Sequence, residues 1–292
     1  MLLGIHVSKT NEVFESKAAK DISDAIERDT KMLGINAAQI FTYGPKMPIP
    51  NKIDIDAVKE KTTDIDLSVH SAYTSTGIWK VNNENKTTGD SKKRLGSIEG
   101  QIKSCQSIGA WGWVLHIAKT YPDVAAETMS ILKPIAKKYN VILLLEMVAS
   151  KADPNKTYET PEKIDNLTTL IGPTENWWGW CVDTAHLWGA GIDVKSYASM
   201  KKWLDSVTYK HKILMFHLNG SSAIRGSGKD KHEIAFGRDD LIWYGIKPQD
   251  SGVRALVEFA MAHNITIICE INRGNKKDYI ASLNAIKTLG NL

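Results

Sequence analysis

Nine residues in this chain could bind a cation or move a proton, and most of them close an apolar run. His70 ends "LSVH", His116 lies in "WVLHI" and Glu146 in "VILLLEM". Asp183 lies in "WCVDTAH" with His186 three residues on, His217 in "ILMFHLN" and Glu270 in "ITIICEI". The polar stretch "RGSGKDKHE" adds Asp230 and His232. Taken singly, a histidine on an apolar strand reads most simply as a hydrogen-bonded core residue, and a strand-end carboxylate as a helix cap or an arginine acceptor. Together they read differently. Five of the chain's eight histidines are in this set, and it contains no thiolate. An unpaired carboxylate beside a core is costly, and several carboxylates at one place repel each other unless cations lie between them. Imidazole and carboxylate donors without thiolate suit zinc, manganese or iron. Nine donors exceed what one tetrahedral ion uses, so a multinuclear centre is expected, with Asp183 facing one cation and His186 reaching a second.

Such a centre needs a scaffold that brings distant positions together. Apolar runs of strand length recur at intervals of roughly 30 to 40 residues: the six that end at the donors, plus "LLGIHV" and "AAQIFT". Segments with helical spacing alternate with them, including "DISDAIERDTKMLG", "AAETMSILKPIAKKY", "SYASMKKWLDSV", "SGVRALVEFAMAHN" and the closing "KKDYIASLNAIKTLG". Uninterrupted apolar strands indicate parallel strands covered on the outside. Eight βα units without a Pro/Gly/Ser-rich linker predict an α/β fold, a TIM (β/α)8 barrel forming a single domain over 1–292. The alternative, a doubly wound sheet, lacks its Gly-x-Gly-x-x-Gly after the first strand. The polar stretches "NNENKTTGDSKKR" and "SKADPNKTYET" read as βα loops, with the basic run Lys92, Lys93, Arg94 as a solvated helix start. The tryptophans of "WWGW", before strand six, are expected to pack at the bottom of the barrel, away from the donors. In a barrel, strand-end donors share the C-terminal mouth.

Composition narrows the setting. The 292 residues are 42% apolar and 24% charged, with a net charge of +4 that permits a polyanionic partner without demanding one. Cys105, Cys181 and Cys269 lack any Cys-x-x-Cys spacing, which argues against a disulfide framework or a thiolate zinc cluster, and Cys181 and Cys269 read as buried small hydrophobes. No run approaches the ~20 apolar residues of a membrane helix, and "MLLGIHV" is too short for a signal peptide. The expectation is an intracellular monomer with no membrane partner.

At these residues the chain resembles the endonuclease IV family of apurinic/apyrimidinic endonucleases, a branch of the xylose-isomerase-like barrels. The resemblance runs through "GIHVS", "AQIFT", "VHSAY", "VLHI", "LLLEM", "CVDTAH", "FHLN", "GSGKDKH" and "ICEIN", nearly the whole chain. It implies three zinc ions, with manganese or iron as possible substitutes. His70, His116 and Glu146 would hold the first; Glu146, Asp183, His217 and Glu270 the second; His186, Asp230 and His232 the third. The implied reaction is hydrolysis of the phosphodiester 5′ to an abasic site in double-stranded DNA, leaving a 3′-hydroxyl and a 5′-deoxyribose phosphate. Glu146 and Glu270 would also orient the nucleophile, and 3′-end repair activities belong to the same family. Tyr73 matches a residue that enters the DNA, Lys46 falls where a basic residue is frequent, and His6 matches a strand-one histidine near the site. Departures are Thr74 for a leucine, Gly220 for an aspartate, Met147 and Val148 for Asn-Thr, and "AFGRDDLIW" where a Gly-Glu-Gly usually follows the loop histidine. The "LWGAG" and "GSGKDKH" stretches resemble members from large DNA viruses, which extends the expected compartments from cytoplasm and nucleus to a virion.

The main alternative is a sugar isomerase or epimerase of the same barrel superfamily, using Glu146, Asp183, His217 and Glu270 around one divalent ion. Such an enzyme has no need of His70, His116, His186, Asp230 and His232 as ligands, so those five separate the two readings. A DNA-damage binding module without catalysis would not need the complete donor set.

Overall fold

The computed structural model describes residues 1–10, 18–46, 49–117, 119–150, 153–271 and 274–292. Lys151 and Ala152 of the "SKADPNKTYET" stretch and Asn272 of "ICEIN" lie outside them. Strands β1 (Leu2–His6), β2 (Ala37–Phe41), β3 (Asp66–His70), β4 (Gly112–Ile117), β5 (Ile142–Met147), β6 (Trp178–Asp183) and β7 (Ile213–His217) pair in parallel with their neighbours in sequence. After a two-stranded hairpin, β8 (Gly220–Ser221) and β9 (His232–Glu233), strand β10 (Thr266–Cys269) pairs with both β7 and β1 and closes an eight-stranded barrel. The helices are α1 (Ile22–Leu33), α2 (Ile55–Lys61), α3 (Gly89–Ser107), α4 (Pro122–Tyr139), α5 (Pro161–Ile171), α6 (Thr184–Ala190), α7 (Tyr197–Ser206), α8 (Gly252–His263) and α9 (Lys276–Gly290). The barrel is the one the repeat of apolar runs predicts.

Register explains why the donors meet. Across the sheet His116 pairs with Glu146 and Asp183 with His217. His70 stands beside Val114, Glu146 beside Cys181, and His217 beside Ile268, each two residues before the next donor. Side chains two apart on a strand share a face, so every step, direct or offset by two, keeps the donors on the inner face. The layer beneath follows the same rule. Val114, Leu144, Cys181, Met215 and Ile268, each two residues before a donor, form with Ala37 a dry plug inside the barrel. Burial pushes the Cys181 thiol up to about 12, so it fills space as an apolar group. The larger core lies outside, between strands and helices.

β6 ends at Asp183, and Asp183 caps α6, accepting the His186 backbone N–H at 2.7 Å, so a helical turn begins at the donor itself. One expectation is corrected. "NNENKTTGDSKKR" is not loop throughout, because Thr88 caps α3 and the basic run falls in its first turns, with Lys92 and Lys93 exposed. Trp178 and Trp180 occupy the first half of β6 and face outward, donating to the Gly172 carbonyl and to Thr168 of α5. No helix among the described residues is long and apolar enough to cross a membrane.

Candidate metal centre at the barrel mouth

All nine donors lie at the C-terminal mouth. Glu146, fully buried, is the hub. Its Oε2 is 3.3 Å from His70 Nε2 and 3.1 Å from His116 Nε2, while its Oε1 is 3.1 Å from His217 Nδ1 and 3.2 Å from His186 Nδ1. His217 Nδ1 also stands 3.4 Å from Glu270 and 4.0 Å from Asp183. On the far side His232 Nε2 is 2.9 Å from Asp230 and 3.4 Å from His186 Nε2.

Among the described residues four subsets have donor atoms within 4.8 Å of one another: His70, His116 and Glu146; Glu146, Asp183, His217 and Glu270; Asp183, His186 and His232; and Glu146, Cys181 and His217, the last containing the thiol that burial pushes up to about 12. The first two coincide with the expected ligand sets. The third replaces Asp230 by Asp183; Asp230 reaches His186 and His232 from a half-exposed loop position. Two buried atoms of the hub, Glu146 Oε1 and His217 Nδ1, have no hydrogen-bond partner. Orphaned buried donors facing each other among carboxylates are what a cation would satisfy, so the residues fit divalent metal. The ring tautomers agree. His70 and His186 each place Nδ1 on a backbone carbonyl, Ser71 at 2.8 Å and Met147 at 2.7 Å, which leaves Nε2 as a lone-pair donor.

The electrostatics show what holds the cluster together without metal. Burial pushes the Glu146 carboxyl up, but the imidazoles of His116 and His217 outweigh it and hold the group well below the carboxylate range. Burial likewise lowers His186 and His217, yet their acidic neighbours raise both well above an ordinary histidine. His232 reaches about 9 because Asp183, Asp230 and Glu270 overcome its burial. Protons on imidazole thus stand in for cations among the carboxylates.

Two amides that sequence reasoning missed tie the donors down. Asn219 donates to Asp183 at 2.6 Å and to Glu270 at 3.1 Å, and accepts the Glu270 backbone N–H. Gln39 bridges His217 Nε2 at 2.9 Å and His6 Nδ1 at 3.1 Å. Both were detectable as amides interrupting apolar runs, Asn219 two residues after His217. His6 is buried and neutral near pH 7, since burial lowers it to about 4 despite the nearby Glu270.

The mouth opens into a cavity of about 350 Å³ bordered by His6, Tyr73, His116, Asp230, His232 and Glu270. Tyr73 starts a 3-10 helix, Tyr73–Lys80, with its ring stacked on His116 at 5.8 Å and its backbone N–H on the Pro45 carbonyl at 2.8 Å. Nearly half of Tyr73 remains exposed, as required of a side chain that meets a ligand. Lys46 is exposed and follows Pro45, which borders the same cavity.

The segment that carries Asp230 and His232 is anchored from behind by Asp240. Its carboxylate is buried and accepts the N–H groups of Ser221, Ile242, Phe236 and Trp243 at 2.9–3.2 Å. Phe236 is held at φ 63°, a conformation a bulky residue takes only under constraint. A Cβ on Gly220 would lie 2.5 Å from Asp240 Cγ, so glycine at 220 leaves the space that Asp240 fills. Asp240→Asn keeps one acceptor oxygen and points an amine at two backbone donors. The expected result is a loss of about 2–4 kcal/mol in stability, read from the denaturant midpoint.

Comparison with known proteins agrees with the barrel fold. Residues 28–289 match the family described as xylose isomerase-like TIM barrel, in its AP endonuclease 2 model. A probable AP endonuclease of African swine fever virus, isolate Tick/Malawi/Lil 20-1/1983, is 33% identical over 196 residues, a span of 64% of this chain and 64% of the viral one. The probable endonuclease 4 of Mycoplasma pneumoniae is 26% identical over 250 residues, 79% of this chain and 84% of the relative. The crystal structure of AsfvAP:AG superimposes with a TM-score of 0.84 and 25% identity, covering 99% of this chain and 98% of the other. Donor set, barrel and relatives converge, and the chain belongs to the endonuclease IV family, AP endonuclease family 2.

Proposed function

We propose that the protein is a divalent-metal-dependent AP endonuclease that cuts double-stranded DNA on the 5′ side of an abasic nucleotide. The observation that carries this reading is the gathering of nine nitrogen and oxygen donors at one mouth, including His70, His116, His186, Asp230 and His232, which a single-ion isomerase would leave unused.

Three zinc ions are the proposed complement, with manganese or iron able to substitute. His70, His116 and Glu146 would hold one ion, Glu146, Asp183, His217 and Glu270 a second, and His186 and His232 a third with Asp230. Ions held there would supply acidity to a water and neutralise the nonbridging oxygens of the scissile phosphate. The chain's own residues then orient the reaction. Glu146, shared by the first two ligand sets, and Glu270, of the second, fix the direction of attack, while Asn219 keeps Asp183 and Glu270 aligned. Water adds to phosphorus, the bond from phosphorus to the upstream 3′-oxygen breaks, and the departing oxygen takes a proton. Tyr73 and His6 border the mouth, Lys46 follows Pro45 at its rim, and all three contact the nucleic acid, with Tyr73 occupying the space an extruded nucleotide vacates. The protein acts as a monomer, and the same site would also accept damaged 3′ termini.

Incubation with a duplex carrying one tetrahydrofuran abasic analogue tests the reading, with metal counted on the same sample. That analogue cannot undergo β-elimination, so a clean 5′ cut means hydrolysis. Such a cut with about three zinc ions per chain is the expected result. An uncut duplex and one ion per chain would leave the sugar isomerase as the better account.

A further inference from the structure

The 3-10 helix that carries Tyr73 has a cavity on each side. Tyr73 borders the mouth; the next residue, Thr74, borders a second cavity of about 260 Å³ whose other polar walls are Ser75, Asp90, Lys93, Arg94 and Ser97. Ile78 and Ile98, both buried, close its floor. Arg94 is fixed rather than free. Its guanidinium bonds Asp90 at 3.1–3.2 Å and lies so close to the 3-10 turn that a Cβ on Gly77 would stand 2.2 Å from Nη1. Asp90 is thereby neutralised, while Lys93 is exposed and makes no ion pair among the described residues. The cavity therefore carries one uncompensated positive charge, hydroxyl groups and a pre-positioned guanidinium. This is the chemistry that takes a phosphate.

We propose that this second cavity holds a backbone phosphate of the DNA strand beside the abasic nucleotide, with Lys93 and Arg94 as its ligands. The inference rests on the AP endonuclease reading. The two cavities lie on either side of one wall, Tyr73–Thr74, and a strand carries one phosphate per nucleotide. A strand crossing the Tyr73–Thr74 wall thus brings a neighbouring phosphate within reach. Contacts of this kind fix register on the duplex without reading its bases.

The test is the enzyme concentration that gives half-maximal single-turnover incision of the tetrahydrofuran duplex, measured with metal-loaded protein between about 50 and 200 mM salt. The Lys93→Ser/Arg94→Ser variant is expected to need roughly three- to thirtyfold more enzyme and to flatten the logarithmic salt dependence by about one charge. Lys93→Ser alone, at an exposed position with no ion pair among the described residues, should shift both readouts the same way and guards against a double variant that does not fold. Lys93→Arg should restore both, which loss of packing alone would not allow. If the wild type incises the duplex and the folded variants keep its half-saturation and salt slope, the phosphate site is wrong and the endonuclease reading stands. If the wild type leaves the abasic duplex intact, the endonuclease reading fails and this site falls with it.

Discussion

Glu146→Gln should abolish incision, lowering the single-turnover rate by at least about 10³-fold, with metal content reduced on the same sample. The size follows from the hub position. Each Glu146 oxygen faces two imidazoles, and the residue belongs to the donor subsets on both sides of it. An amide removes the shared negative charge and replaces one acceptor by an NH2 group aimed at ring nitrogens that must keep their lone pairs. The side chains at the Tyr73 rim do not depend on that charge, so affinity for the abasic duplex should fall far less than the rate. The variant also removes the buried anion beside His116, His186 and His217, and the metal-free fold should weaken by about 3–5 kcal/mol through uncompensated charge. A Glu146→Gln protein that retains full metal and wild-type rate would contradict the hub assignment.

The second large effect is the response of the metal-free protein to pH. His232, raised from 6.5 to about 9, binds its proton more tightly when folded than when unfolded. The stability this supplies is fully present below about pH 6.5 and is lost as pH rises through 9, an amount on the order of 3 kcal/mol. His186 and His217, also raised, act in the same direction. Asp230 and Glu270 are depressed, against their burial, by the neighbouring imidazoles, and their contribution is lost instead as pH falls below the usual carboxylate range. Chelator-treated protein should therefore be most stable between about pH 4 and 6.5 and should melt at steadily lower temperature toward pH 9. Reloading with zinc should remove that decline, because the ions replace the protons, and loading at pH 7 should release protons to the medium. A melting temperature that stays level from pH 6.5 to 9 without metal would show that the imidazoles are not carrying the charge of the cluster.

The local order of the chain was legible in the sequence to an unusual degree. Strand-length apolar runs at regular spacing point to a parallel sheet, because only covered strands can be apolar on both faces, and eight such units without the Gly-x-Gly-x-x-Gly of a doubly wound sheet point to a barrel. Donors at the ends of those runs then have to share one mouth, since every barrel strand points the same way. What the sequence by itself could not decide was everything that depends on register and on long-range contact. Whether His116 pairs with Glu146 and Asp183 with His217 is set by how neighbouring strands slide against each other, and a shift of one residue would turn donors into the outer core. The reach of Asp183 toward His186 and His232, with Asp230 at the half-exposed edge, depends on a helix capped by Asp183 and on a hairpin whose strands, two residues each, are too short to leave a periodic trace. Gln39 and Asn219 are ordinary amides until the barrel closes and brings each against histidines or carboxylates more than 30 residues away in the chain. Lys93 and Arg94 read as a solvated helix start, and they do begin a helix. Only the packing of that helix against the turn that carries Thr74 and Ser75 places them around the second cavity, because the position of a charge on a surface is a property of the tertiary fold.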